Sequence, residues 1–208
     1  MRMLDLFCGR FGWSRAFAAR GWKCVGIDLV EPPEVPENCI FLKADILDLH
    51  DIATTGYGPF GFVCASSPCD EFSKFGMKHF FPDPPYPALG LKLFNHTRLL
   101  CEDSGIPYVM ENVGAARKFV GNSEGHAGPF HLWGSAVPPL VPKGLTKGFG
   151  AQGWELNGKR TITPWRKYGS KDVKHRAELK AIYATIPPEL ANCVADYAES
   201  LLRQREVA

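Results

Sequence analysis

The chain has 208 residues, 45% hydrophobic and 22% charged, with a formal net charge of +2. That is enough apolar sequence for one well-formed core and short for two ordinary domains, which excludes a disordered or fibrous chain. No apolar run reaches bilayer length, and the opening MRMLDLFCG reads as a strand rather than a signal peptide, so a cytoplasmic protein is expected.

In chain order, MLDLF (3–7) is a strand, and WSRAFAAR (13–20) is a helix ended by Gly21. KCVGID (23–28), IFLKAD (40–45) and FGFVCAS (60–66) follow as further strands. A helix over ALGLKLFNHTRLLCEDSG then leads into the strand PYVMEN (107–112). Strands alternating with helical patterns imply an α/β fold, a mostly parallel sheet covered by helices on both faces. Such sheets bind ligands at the carboxyl ends of their strands. That rule alone gathers Phe7–Gly12, Asp28, Asp45, Ser67–Cys69 and Glu111 along one edge.

Residues 113–158 change character, being dense in Gly and Pro with aromatics between. They read as loops and short strands in a reduced excursion from a single domain spanning 1–208. The last segment, IPPELANCVADYAESLLRQ, has Pro187 and Pro188 in a first turn and the apolar spacing of an amphipathic helix.

The charge is uneven. Residues 1–112 carry 10 Lys/Arg against 14 Asp/Glu, and residues 113–208 carry 14 against 8. Within 159–180 eight basic residues meet two acids, with Trp165 and Tyr168 among them. A solvated helix face and a polyanion-binding segment fit this pattern equally. The seven cysteines are scattered and show no CxxC pair, so reduced thiols and no structural metal are expected.

DLFCGRFGWS is a glycine-containing turn between a strand and a helix, a weak signal alone. It strengthens when Asp28, placed to accept from a ribose diol, and Asp45, placed to accept from an adenine amino group, end the next two strands. Pro68 restricts the backbone before Cys69, so the thiol of SSPC can point from a fixed turn into the cleft. Glu111 closes the neighbouring strand. A thiol and a carboxyl converging on one small ring suit nucleophilic attack on a pyrimidine, the carboxyl holding or protonating a ring nitrogen. The acidic pair Asp70 and Glu71 beside a nucleophilic thiol is unexpected, because negative charge opposes thiolate formation. The Asp70 side chain is therefore expected to turn towards amides of its own loop.

DLFCGxxGxS, GID, AD, SxPCxxFS, MENV and a late IPPELA occur in an order and spacing that resembles the C5-cytosine DNA methyltransferases, from residue 3 to about 200. The resemblance implies a Rossmann-like fold and S-adenosylmethionine as cofactor. It implies Cys69 as the nucleophile adding to C6 of a cytosine flipped out of double-stranded DNA, with Glu111 engaging N3 and the exocyclic amine. Phe7, Gly9, Gly12, Trp13, Ser14, Asp28, Leu29, Asp45, Ile46, Pro68, Thr185 and Ile186 would line the cofactor pocket. Ser73 and Lys74, in the loop that closes over DNA, would contact the nucleic acid, as would Lys159, Arg160, Trp165, Arg166 and Lys167. Arg160 and Arg166 are the candidates for the catalytic arginine role near the cytosine.

The chain departs from the family pattern at Phe11-Gly12, where a glycine pair is usual, at Asp70, where Gln is usual, and at Tyr183-Ala184, where Gly-Asn is usual. Only about seventy residues separate Val113 from Ile186, too few for a full target-recognition domain. A site of two or three base pairs, or a specificity partner of an otherwise monomeric enzyme, is expected. DPPYP (83–87) matches the motif of amino-methyltransferases through Asp83 and Tyr86, but no buried strand precedes it. Two further alternatives are a tRNA cytosine-C5 methyltransferase and a catalytically inactive module that binds S-adenosylmethionine and DNA.

Overall fold

The computed structural model describes residues 1–145, 154–156, 159–161 and 184–207. Trp165, Arg166 and Lys167 lie outside the described residues. Seven strands form one sheet in the order β3-β2-β1-β4-β5-β7-β6. They are β1 (Arg2–Leu6), β2 (Lys23–Asp28), β3 (Cys39–Lys43), β4 (Phe62–Ala65), β5 (Tyr108–Val113), β6 (Gly125–Ala127) and β7 (Phe130–Trp133). The first five run parallel, while β7 runs antiparallel to β5 and β6 antiparallel to β7. The antiparallel pair β8 (Trp154–Leu156) and β9 (Lys159–Thr161) stands apart from that sheet.

The central strands are buried along most of their length because both faces are covered, and Asp5, Glu111 and Asn112 are the polar residues buried within them. One face carries Met3, Cys24, Phe62, Cys64 and Val109, packed under α1 (Gly12–Ala18) and α5 (Pro188–Val207). The other carries Leu4, Leu6, Val25, Val63, Ala65 and Met110, packed under α3 (Ala88–Ser104). Helix α3 buries Gly90, Leu93, Phe94, Thr97, Leu100 and Cys101, one stripe at helical spacing, and ends where Gly105 takes a left-handed φ of 64°. The fold is thus the α/β, Rossmann-like architecture expected. The segment after Cys69, read as loop, contains a short helix, α2 (Asp70–Gly76). The two antiparallel strands at 125–133 extend the main sheet beyond β5.

The turn after β1 is held in an unusual way. Phe11 adopts φ 60° and ψ 39° at the N-cap of α1, a conformation glycine takes freely and a bulky residue only at a cost. Its ring is fully buried, and it lies against Gly26 of β2. A Cβ at Gly26 would come within 2.4 Å of Phe11 Cε1 and 2.8 Å of Cys8 Sγ. Ring burial on a strand glycine therefore offsets the backbone strain. Gly26→Ala should lower stability by about 1–3 kcal/mol through overpacking, read from the denaturant midpoint. An unchanged midpoint would show that the ring does not depend on that gap.

Candidate active site

Strand order reverses between β1 and β4, so the crevice expected of a doubly wound sheet opens where the Phe7–Gly12 turn faces Ser66–Cys69. Side chains bridge these strand ends. Trp13 Nε1 donates to Ser66 Oγ at 2.8 Å, joining the first turn of α1 to the end of β4. The backbone N–H of Gly9 donates to Asp28 Oδ2 at 3.0 Å, joining the β1 turn to the end of β2. Ser14 donates its N–H (3.2 Å) and its hydroxyl (2.6 Å) to Oδ2 of the fully buried Asp5.

One buried amide ties down the turn before Cys69. Asn112 Nδ2 donates to the carbonyl oxygen of Ser67 at 3.0 Å and to its Oγ at 3.1 Å, while Oδ1 accepts from the N–H of Val113 at 2.8 Å. The turn that presents Pro68 and Cys69 is thereby tied to the residue following Glu111. Glu111 is 5% exposed, and Cys69 is half-buried at the N-cap of α2 with φ −98° and ψ 1°, the bridge region where many active-site residues sit. The acidic neighbours fall in the first turn of α2, where carboxylates suit the helix dipole. Glu71 Oε2 accepts from the N–H of Gly90 at 2.8 Å, fastening α2 to the start of α3.

The remaining thiols fit other roles. Cys8, Cys24, Cys64 and Cys101 are buried. Desolvation pushes the Cys64 thiol well up and the Cys101 thiol up to about 12. Burial and the carboxylates of Asp5 and Asp28 push Cys8 up. Cys39 begins β3, at the amino edge opposite the crevice, beside Cys24 in register. No group of three or more metal-ligating side chains occurs among the described residues.

The expected cofactor residues divide into two sets. Phe7 (φ 59°), Gly9 (φ 49°), Asp28, Asp45, the exposed Leu29 and the exposed Pro68 lie at strand ends around the crevice. Thr185 and Ile186, from the far end of the chain, lie against Gly12, whose added Cβ would be 2.8 Å from the Ile186 nitrogen. Trp13, Ser14 and Ile46 are buried, and the polar atoms of Trp13 and Ser14 bond to other residues of the chain. Asp45 Oδ1 caps a 3₁₀ turn through the N–H of Leu47 at 2.9 Å. The Asp28 oxygens accept from Gly9 and Val30, at 3.0 and 3.1 Å. Both carboxylates keep lone pairs for further donors.

Ser73 and Lys74 lie on α2, half-buried. Lys159 and Arg160 lie on β9. Phe119, on α4 (Arg117–Val120), receives Phe72, Phe75 and Tyr86 at ring separations of 5.9, 4.7 and 6.0 Å. Within the 77–87 connection Phe80 is 75% exposed, with its ring 5.3 Å from that of His79. Asp83 and Tyr86 belong to this connection, and the end of β4 leads instead to Cys69.

Asn112→Ala should cost about 1–3 kcal/mol, because it leaves buried partners unsatisfied. It should also change the alkylation rate of Cys69, followed by peptide mass spectrometry. An unaltered rate would show that the turn holds itself without the amide.

A family model for C-5 cytosine-specific DNA methylases matches residues 1–124. No curated protein sequence matches the chain. Among solved structures, a protein described as a DNA modification methyltransferase encoded within an Escherichia coli prophage is similar at 17% identity and a TM-score of 0.45. The likeness covers 58% of this chain and 35% of that one. A Burkholderia thailandensis 1,6-didemethyltoxoflavin-N1-methyltransferase, solved with S-adenosylhomocysteine, is similar at 16% identity and a TM-score of 0.35, over 64% of this chain and 52% of that one. The chain thus spans about a third of the first structure and about half of the second. With more than half of its length matched by the family model, the chain belongs to the C-5 cytosine-specific DNA methylase family.

Proposed function

We propose that this protein transfers a methyl group from S-adenosylmethionine to C5 of cytosine in DNA. The observation that carries the reading is the Asn112–Ser67 tie, which sets the Pro68–Cys69 turn against the strand end bearing Glu111 in a member of this family. Cys69 as thiolate attacks C6 of the base, and the Glu111 carboxyl holds the N3 edge as electron density builds there. Loss of the C5 proton to a base, with cleavage of the C6–S bond, restores the C5–C6 double bond and releases Cys69 as thiolate. A base inside a duplex reaches this depth only by leaving the stack, at a cost of a few kcal/mol.

The crevice fits the cofactor. An added Cβ at Gly9 meets nothing within 4 Å, so the turn's backbone opens to a ligand. Asp28 is read as the acceptor for the ribose and Asp45 as the acceptor for the adenine amine, with Leu29 a neighbouring contact. When bound, S-adenosylmethionine supplies the electrophilic methyl group. Lys74, Lys159 and Arg160 are read as phosphate contacts, and the aromatic tip at Phe80 as a stacking surface. The short stretch between Val113 and Ile186 favours a site of two or three base pairs.

Incubation with 5-fluorocytosine DNA and S-adenosylmethionine should trap a covalent adduct that Cys69→Ala abolishes. Adduct formation on tRNA but not DNA would reassign the polymer, and cofactor binding without an adduct would mark an inactive module. Bisulfite sequencing of treated random DNA should return the short site. Phe80→Ala should weaken DNA binding about tenfold, the loss of one stacking contact, with cofactor affinity unchanged. Unchanged DNA affinity would remove the tip from the interface.

A further inference from the structure

Asp5 sits in β1, one residue short of the strand end, directly before the turn that borders the crevice, and is fully buried. Oδ2 takes both Ser14 donors, and Oδ1 is buried with no hydrogen-bond partner. No cation answers it among the described residues. The titratable groups acting around it are Asp28 and Cys24 from β2, Cys8 from the turn, Cys64 from β4 and Cys39 from β3. Arg15 of α1 is exposed and pairs with Glu34 at 3.3 Å. Helix α5 contributes apolar Leu190, Ala191 and Val194 to this side of the sheet. A carboxyl so placed favours its neutral form until positive charge arrives nearby. Burial, with a contribution from Asp28, raises it to about 7 against the pull of Ser14.

The methyl donor of the proposed function is a sulfonium cation, and its demethylated product is a neutral thioether. We propose that Asp5 is the proton-exchanging counter-charge of the cofactor site, releasing its proton to solvent when the sulfonium binds and keeping it when the thioether binds. This rests on the S-adenosylmethionine reading. The charges balance: the protein loses one proton as one fixed positive charge enters, and regains it once that charge is gone. The sign for affinity follows. Below the carboxyl's titration range sulfonium binding must expel a proton, so affinity falls with falling pH, by up to tenfold per unit, while thioether affinity does not share that loss. Relative product affinity is therefore greatest at acid pH.

Isothermal titration calorimetry at pH 6.5, in two buffers of different ionisation enthalpy, counts the protons. S-adenosylmethionine should release a larger fraction of a proton than S-adenosylhomocysteine, and the difference should vanish in Asp5→Asn. Ser14→Ala removes the donor that favours the ionised form and should move the release to higher pH. It is an independent check if Asp5→Asn does not fold. Equal proton counts for the two ligands in the wild-type protein, or a difference that persists in Asp5→Asn, would overturn the proposal while leaving the cofactor reading intact. Failure of both ligands to bind would overturn the cofactor reading, and this proposal with it.

Discussion

A single buried amide ties the turn that carries Cys69 to the strand that carries Glu111. Asn112 spends one N–H group on two oxygens of Ser67, and its carbonyl on the N–H of Val113. The ladder between β4 and β5 ends at Ala65 and Met110, and the amide carries the tie beyond it. In the proposed reaction Cys69 has to be held near an attack geometry before proximity contributes to rate. Here that order comes from a buried polar group, which in a low-dielectric surrounding is costly unpaired and rigid when paired.

The same device recurs along the edge. Trp13 to Ser66, Gly9 to Asp28 and Glu71 to Gly90 each fasten the end of one element to the next. These bonds explain why residues named as ligand contacts also serve the protein. Asp28 and Asp45 accept local amides, and the Ser14 hydroxyl donates to Asp5. Local rules are broken in this strip as well. Phe11 holds a left-handed backbone, and Asp5 buries an unpartnered oxygen. Such departures concentrate where a site must be open to a ligand, and apolar packing elsewhere compensates for them.

Much of this was legible in the chain. Strand and helix periodicity located the parallel sheet and both long helices, because alternating buried runs and stripes at helical spacing are local signals. The strand-end rule then gathered Asp28, Asp45, Cys69 and Glu111 without a structure. Strands β6 and β7 were not legible as parts of the main sheet, since strands of three and four residues exist only by pairing, β7 with β5 and β6 with β7. Helix α2 was read as loop because its seven residues carry little periodicity, although acids in the first turn were a usable sign. The inward orientation of Trp13 and Ser14 was hidden too. The sequence names the turn, while helix phase decides which side chains face the core. Asn112 carried no distinct signal beyond following Glu111, and Gly26 showed its purpose only once Phe11 was seen lying on it.

The meeting of Gly12 with Thr185 and Ile186 has a consequence for how the molecule assembles. Helix α1 packs most extensively against α5, a partner more than 150 residues later in the chain. During synthesis the early strands can pair among themselves, yet Trp13 and Phe17 have no lid over their side of the sheet until the last helix emerges. Closing so long a loop is entropically slow, and a chain waiting for it exposes apolar surface. The crevice therefore gains its final wall as a late folding event, and a ribosome-bound chain that stops short of α5 would carry the thiol turn without that wall.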